Sequence, residues 1–218
     1  EDQQIRFVNH TGDQCISLTD DPEAAYGGLV ADESRERVLA VREADGRQEL
    51  VAVSMAGERT VLHSGQDFYS APAVSADGRE IACTICQLPD MPWVRTRLWT
   101  ANSGSDGLLD QCRDWPTPTG GSVQQPVFDG DELWALSDHE GWWQPWRIET
   151  SGEGGWKTIA APARDHANAP WQLSESHHCP TGEGGWARVR YCNGTGELWL
   201  SSGDTGEEIR VARDFGDF

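Results

Sequence analysis

Runs of four to eight residues rich in Val, Ile, Leu and Trp, each closed by a Gly, Asp or Asn turn, recur along the whole chain. Helical periodicity is nearly absent, so the pattern is that of antiparallel β structure. Ile5–Asn9 and Gln14–Thr19 read as a pair around the turn His10–Asp13. Four groups of four follow. The first is Gly28–Ala31, Arg37–Glu43, Gln48–Met55 and Arg59–His63, and the second is Ala71–Ser75, Glu80–Cys86, Thr96–Ala101 and Leu108–Arg113. The third is Val123–Phe128, Glu132–Ser137, Pro145–Glu149 and Trp156–Ala160, and the fourth is Leu173–Cys179, Trp186–Cys192, Glu197–Ser202 and Glu208–Arg213. Four-strand units at a period of roughly 45 to 55 residues specify a β-propeller.

Turn chemistry supports the same period. Gly28, Ala73, Val127 and Trp171 open the innermost strands, and acidic glycine turns follow at Asp77-Gly78 and Asp129-Gly130. Met55-Ala-Gly57, Ser151–Gly155 and Gly203–Gly206 join third to fourth strands, where glycine supplies the positive φ of a tight turn. The expected organisation is one all-β propeller segment over residues 1–218. It has a half blade at 1–19 and blades at 24–63, 68–115, 120–160 and 165–213. Ring closure would need two further inner strands after Arg213, where only Asp214-Phe-Gly-Asp-Phe218 remains. The pattern therefore predicts an incomplete arc, and open blade faces predict self-association.

Charge narrows the partners. The 218 residues carry 17 basic and 36 acidic side chains, a formal net charge of −19, with Lys157 the sole lysine. That balance argues against nucleic acid and anionic lipid, both of which require a basic footprint. No apolar run is long enough to span a membrane. Such acidity suits high salt or solubility, which describes an environment and not a function. Six cysteines are too few for a disulfide scaffold, and reduced thiols point to a cytoplasmic protein, with a periplasmic parent as the alternative. Cys83-Thr-Ile-Cys86 lies in a strand, where positions three apart face opposite sides, so it reads as buried thiols. His177-His178-Cys179 lacks evident further zinc ligands and reads as a blade strand. The carboxylate clusters at Asp20-Asp21, Asp129–Glu132 and Gly203–Glu208 lack the alternating ligand series of a calcium loop. No metal or cofactor is expected. Trp99, Trp134 and Trp199 alternate with polar neighbours inside strands and read as core between blades.

Three stretches carry a family resemblance. Ala71-Pro-Ala-Val-Ser-Ala-Asp-Gly-Arg-Glu-Ile-Ala82 resembles the Ser-Pro-Asp-Gly turn of TolB-like propeller repeats. Leu88-Pro-Asp-Met-Pro-Trp93 with Thr96-Arg-Leu-Trp99 is similar to the Met-Pro-Trp loop of prolyl-oligopeptidase-type serine peptidases, in the dipeptidyl-aminopeptidase/acylaminoacyl-peptidase-like branch. Gln125-Pro126 followed by Leu133-Trp-Ala-Leu-Ser-Asp138-His-Glu-Gly141-Trp142-Trp143 resembles that branch's Ser-Asp-Arg-x-Gly-Trp-Trp signature, and Gly65-Gln-Asp67-Phe68 its Gly-x-Asp-Phe pattern. His139-Glu140 replaces the family's arginine and small residue, Pro145-Trp146 its Leu-Tyr, and Leu88 its histidine.

The resemblance covers most of residues 24–175 and implies a propeller that sits on an α/β-hydrolase domain and restricts access to its serine. The implied partners are that hydrolase domain and the parent's peptide or acyl-peptide substrates. No Gly-x-Ser-x-Gly elbow occurs here: Gly120-Gly-Ser122-Val-Gln fails at its last position. The chain is therefore expected to be non-catalytic, since the nucleophile and oxyanion hole must come together. Two second-to-third-strand loops, carrying Asp90, Met91 and Trp93 and carrying Asp138, Trp142 and Trp143, are expected side by side on one rim. They form the candidate docking and gating surface. A stand-alone TolB-like interaction propeller and a sugar-binding propeller with stacking loop tryptophans are the alternatives.

Overall fold

The computed structural model describes residues 2–159, 162–182, 184–202 and 207–211. Nineteen strands are formed among them. A hairpin, β1 (Arg6–Val8) and β2 (Cys15–Ser17), precedes a sheet of β3 (Ala24–Asp32), β4 (Arg37–Ala44), β5 (Arg47–Ser54) and β6 (Arg59–Ser64). The second sheet holds β7 (Phe68–Tyr69), β8 (Ala73–Val74), β9 (Glu80–Cys86), β10 (Arg97–Ser103) and β11 (Leu109–Trp115). The third holds β12 (Val123–Asp129), β13 (Glu132–Ser137), β14 (Gln144–Glu149) and β15 (Gly155–Thr158). The fourth holds β16 (His178–Gly182), β17 (Gly185–Cys192), β18 (Thr195–Ser201) and β19 (Glu208–Val211). Each is an antiparallel meander in chain order, the blade of a propeller. The 3₁₀ turn Glu33–Arg35 is the one helical turn among the described residues.

Alternation along the middle strands explains the packing. Ile81, Cys83 and Ile85 of β9 and Trp99 and Ala101 of β10 face the first sheet, joining Leu39, Val41, Leu50 and Ala52 in one dry seam. Ala82 and Leu98, one residue out of phase, face the third sheet and meet Val123, Leu133, Ala135 and Ile148. Strands buried on both faces read as continuous apolar runs, which is why Glu80–Cys86 shows no polar alternation. All six cysteines are free; Cys83 lies in the first seam, and the Cys86 Sγ donates to the Asp90 carbonyl at 3.2 Å.

The β1–β2 hairpin lays Ile5 and Leu18 on Ala40, Val51 and Val53 of the first sheet and leaves Phe7, Val8 and Ile16 exposed. At the other end, Trp186 and Arg188 face the third sheet, so the register puts Ala187, Leu198, Leu200, Ile209 and Val211 on the opposite face. That face is aliphatic, and Ile209 is 60 % exposed on it.

Two inner strands depart from the sequence pattern. The expected strand Ala71–Ser75 shortens to β8, and the separate β7 pairs with β9 before it, because Pro72 has no N–H to give and the Ser70 hydroxyl accepts from the Thr84 N–H at 2.8 Å. The expected strand Leu173–Cys179 begins only at His178, and Trp171 lies outside any strand. Ser174 there has a φ of 68°, which breaks the extended backbone. The turn predicted at Asn193-Gly194 joins β17 to β18 with φ values of 53° and 80°, the primed geometry that suits a two-residue hairpin. Ala160, Gly203–Gly206 and Ala212–Phe218 lie outside the described residues.

Candidate functional site

The inner strands are irregular at matching places. Pairing shifts between Gly27 and Val30, between the β7 and β8 segments, and between Gln124 and Val127. Gly28 (φ 62°) and Gln125 (φ 53°) carry the left-handed conformations that such bulges require. The bulges bend the strands around a cavity of about 450 Å³, lined by Val30, Tyr69, Pro72, Gln125 and Pro126 among others.

The two aromatic loops meet beside Pro92 and Thr96, which line this cavity. The β9–β10 loop carries Asp90, Met91 and Trp93, and the β13–β14 loop carries Asp138, Trp142 and Trp143. Ser122 joins them. Its N–H donates to Asp138 Oδ1 at 2.6 Å, and its hydroxyl donates to the Pro92 carbonyl. Thr96 Oγ1 bonds the same hydroxyl at 2.8 Å and also accepts from the Val123 N–H. The opposite rim is formed by the turns of Asp77 and Asp131, which border a second hollow of about 830 Å³. The seven residues of β9 separate the two rims by about 20 Å.

Individual side chains divide into outward and inward groups. Met91 (38 % exposed) and Trp142 (44 %) project into solvent. Asp90 is half-buried, 3.8 Å from Arg95. Trp93 is half-buried and packs on Trp171 with ring centroids 4.2 Å apart, while Trp171 itself is 68 % exposed. Asp138 is spent on Ser122, and its carbonyl accepts from the Gly141 N–H, so it shapes its own loop. Trp143 (8 %) is turned into a small core with Leu136 and Ala167, its N–H on Asp165 Oδ1 at 2.9 Å. His139, where the family pattern has arginine, stacks on Trp146 at 4.1 Å, and burial lowers its pKa.

Two contributors escaped the sequence reading. Ser122 read only as a failed catalytic elbow, although its glycine-flanked position is what lets it bond two loops. Trp171 read as the start of a strand. The segment from Pro170 to Ser176 instead crosses the cavity, and Leu173 reaches the first sheet, where its Cδ2 would touch a Cβ placed on Gly27 at 2.9 Å. Within the cavity, burial raises the Glu175 carboxyl pKa, and its Oε2 has no partner.

No family profile and no curated protein matches the chain. Solved structures do. A puromycin hydrolase aligns over 99 % of the chain at 23 % identity with a TM-score of 0.87. The fold is a β-propeller. A puromycin-hydrolyzing peptidase of Mycobacterium tuberculosis aligns over the same 99 % at 23 % identity and a TM-score of 0.83. TolB from Acinetobacter baumannii aligns over 95 % at 15 % identity and 0.66. The chain spans 36 % of each of the two hydrolases and 48 % of the TolB structure.

Proposed function

We propose that this chain is the non-catalytic propeller portion of a serine peptidase, and that its aromatic rim docks a hydrolase domain and narrows the route to that domain's serine. The observation that carries the reading is the convergence of the two loops through Ser122, with Trp93 of the first loop packed on Trp171 of the cavity lining. Exposed methionine and tryptophan held on a bonded frame suit an interface, because rigid apolar anchors lose little entropy on association. Asp90 adds a carboxylate at the edge of that surface, and Asp138 and Trp143 hold the second loop in place from within.

The reading assigns no nucleophile to this chain. Ser122, the serine nearest to an elbow pattern, is fully buried and already donates to a carbonyl. Aminoacyl and acylaminoacyl chromogenic substrates should therefore not be turned over, and a serine-directed phosphonate should leave no stoichiometric label. For docking, the test is titration of a separately expressed hydrolase domain of a homologous peptidase onto the wild-type chain and the Trp142→Ala and Met91→Ala variants. A loss of affinity in the variants is expected. Binding and substrate selectivity unchanged by both substitutions would leave the rim without this role.

A further inference from the structure

The seam between the third and fourth sheets is unlike the other two. Those are closed by aliphatic and aromatic side chains. Here Trp134 meets Trp186 at 4.6 Å, and a group of buried nitrogens lies beside that contact. Arg188 is 9 % exposed, its guanidinium 4.9 Å from the Trp186 ring and 5.8 Å from Trp134. Its Nε has no hydrogen-bond partner, and no ion pair among the described residues includes it. Arg190, two residues on and on the same strand face, lies over Trp199 and pairs with Glu208 at 2.8 Å, its Nε also unpartnered.

Two imidazoles complete the group. His166 is 1 % exposed; neither ring nitrogen makes a hydrogen bond of good geometry, the Val189 backbone being the polar group that raises its pKa against burial. His178 stands opposite Arg188 in the sheet register. Its Nε2 donates to the Gln125 carbonyl at 2.8 Å, which leaves a lone pair at an unpartnered Nδ1 when the ring is neutral. Burial first, and then the neighbouring guanidiniums, push both imidazoles down to about 4, so both are neutral near pH 7.

The charge does not balance. Two guanidiniums face one carboxylate, Glu208, inside a chain whose overall charge is −19. Buried polar groups are almost always bonded, and a buried charge without a partner is among the costliest arrangements a fold can hold. A water molecule could accept from Arg188 but would leave its charge uncompensated. An anion meets both demands. Long-range attraction would not bring an anion to so acidic a protein, so binding must come from these local, desolvated donors.

We propose that this seam is a binding site for one small monovalent anion, a halide or a compact carboxylate, held by Arg188 with the N–H of His166 and bracing the third blade against the fourth. The site is independent of the docking rim and of the parent's activity.

The test uses the 218-residue protein itself. Crystals soaked in sodium bromide should show an anomalous peak within hydrogen-bonding reach of Arg188 Nε. In solution, melting in chloride, formate and gluconate at equal ionic strength separates the sources, because gluconate is too bulky to enter. The bound anion should raise the melting temperature saturably, by about 2–4 °C at concentrations well above its dissociation constant. A response to chloride alone assigns a halide, and one to formate alone a carboxylate. Arg188→Met should abolish the response. Identical melting in all three salts with no bromide peak would overturn the proposal, as would an Arg188→Met protein that keeps the full response. If that variant does not fold, chloride and formate line broadening on the wild-type protein decide, and the absence of both counts as overturning.

Discussion

Trp93 and Trp171 stack with ring centroids 4.2 Å apart, although one belongs to a loop of the second blade and the other to the segment leading into the fourth. The contact bridges the mouth of the cavity without any strand pairing between those blades. It makes the rim a single surface, whose neighbouring tryptophans should behave very differently when removed.

Trp142→Ala and Trp143→Ala separate surface from core at adjacent positions. Trp143, packed on Leu136 and Ala167, should cost about 3–5 kcal/mol of stability when truncated. Trp142, 44 % exposed, should change stability by no more than about 0.5 kcal/mol. Urea denaturation of both variants checks the contrast. Equal losses would mean that Trp142 braces its own blade and is not available to a partner.

Gly28→Ala probes the bulge of the first inner strand. A Cβ at Gly28 would lie 2.8 Å from the Ala71 Cα and 3.2 Å from Leu173, on a backbone with φ at +62°. Gly46 has a similar φ of +68° but open space around it. Gly46→Ala should therefore cost only about 1 kcal/mol, the left-handed penalty, while Gly28→Ala should cost clearly more. Calorimetric melting of the pair gives the comparison directly.

Acid should weaken the fold through the two buried histidines. Each has a folded pKa near 4 against about 6.5 when unfolded, so between these values the unfolded chain binds more protons. Stability from this source is intact above about pH 7, falls as pH drops through 6.5, and levels out below about 4. The loss is on the order of 2 kcal/mol per histidine by pH 5. His166 faces Arg188, Arg190 and Glu208; His178 faces Gln125, Arg188, His166 and His177. Glu80 and Glu175, raised by burial, act in the opposite sense, so the measurement is the difference between wild type and His166→Asn in gluconate. Parallel stability–pH curves for the two proteins would refute the assignment.

The aliphatic outer face of the fourth sheet should drive self-association. Ile209→Lys, at its most exposed point, should shift the protein toward monomer in sedimentation experiments. Charge repulsion between chains of −19 opposes association, so added salt should promote it in the wild type. Salt-independent monomers of both proteins would show that the face is not adhesive.

The fold was legible because strand alternation, turn glycines and a fixed period all encode the same object. Asn193-Gly194 and Asp77-Gly78 mark turns by chemistry that no other local structure demands. The fourth inner strand was not legible, since Leu173–Cys179 has strand-like composition while the φ of Ser174 is set by packing across the cavity. The site was half legible. Met-Pro-Trp and Gly-Trp-Trp located the loops, but composition cannot tell which of two adjacent tryptophans turns inward, and the role of Ser122 depends on partners 26 and 30 residues away in the chain.

The three seams differ in kind, and that has a mechanical consequence. Two are dry and interlocked, so the first three blades move as one block. The third seam is lined by nitrogen-bearing side chains, and the non-strand segment of Asp165 to Ala167 bonds Trp143 on one side and Tyr191 on the other. Under load that seam is expected to yield before the other two. The expected consequence is stiffness graded along the chain, with the fourth blade loosening before the others and the Trp93–Trp171 contact its tie to the second.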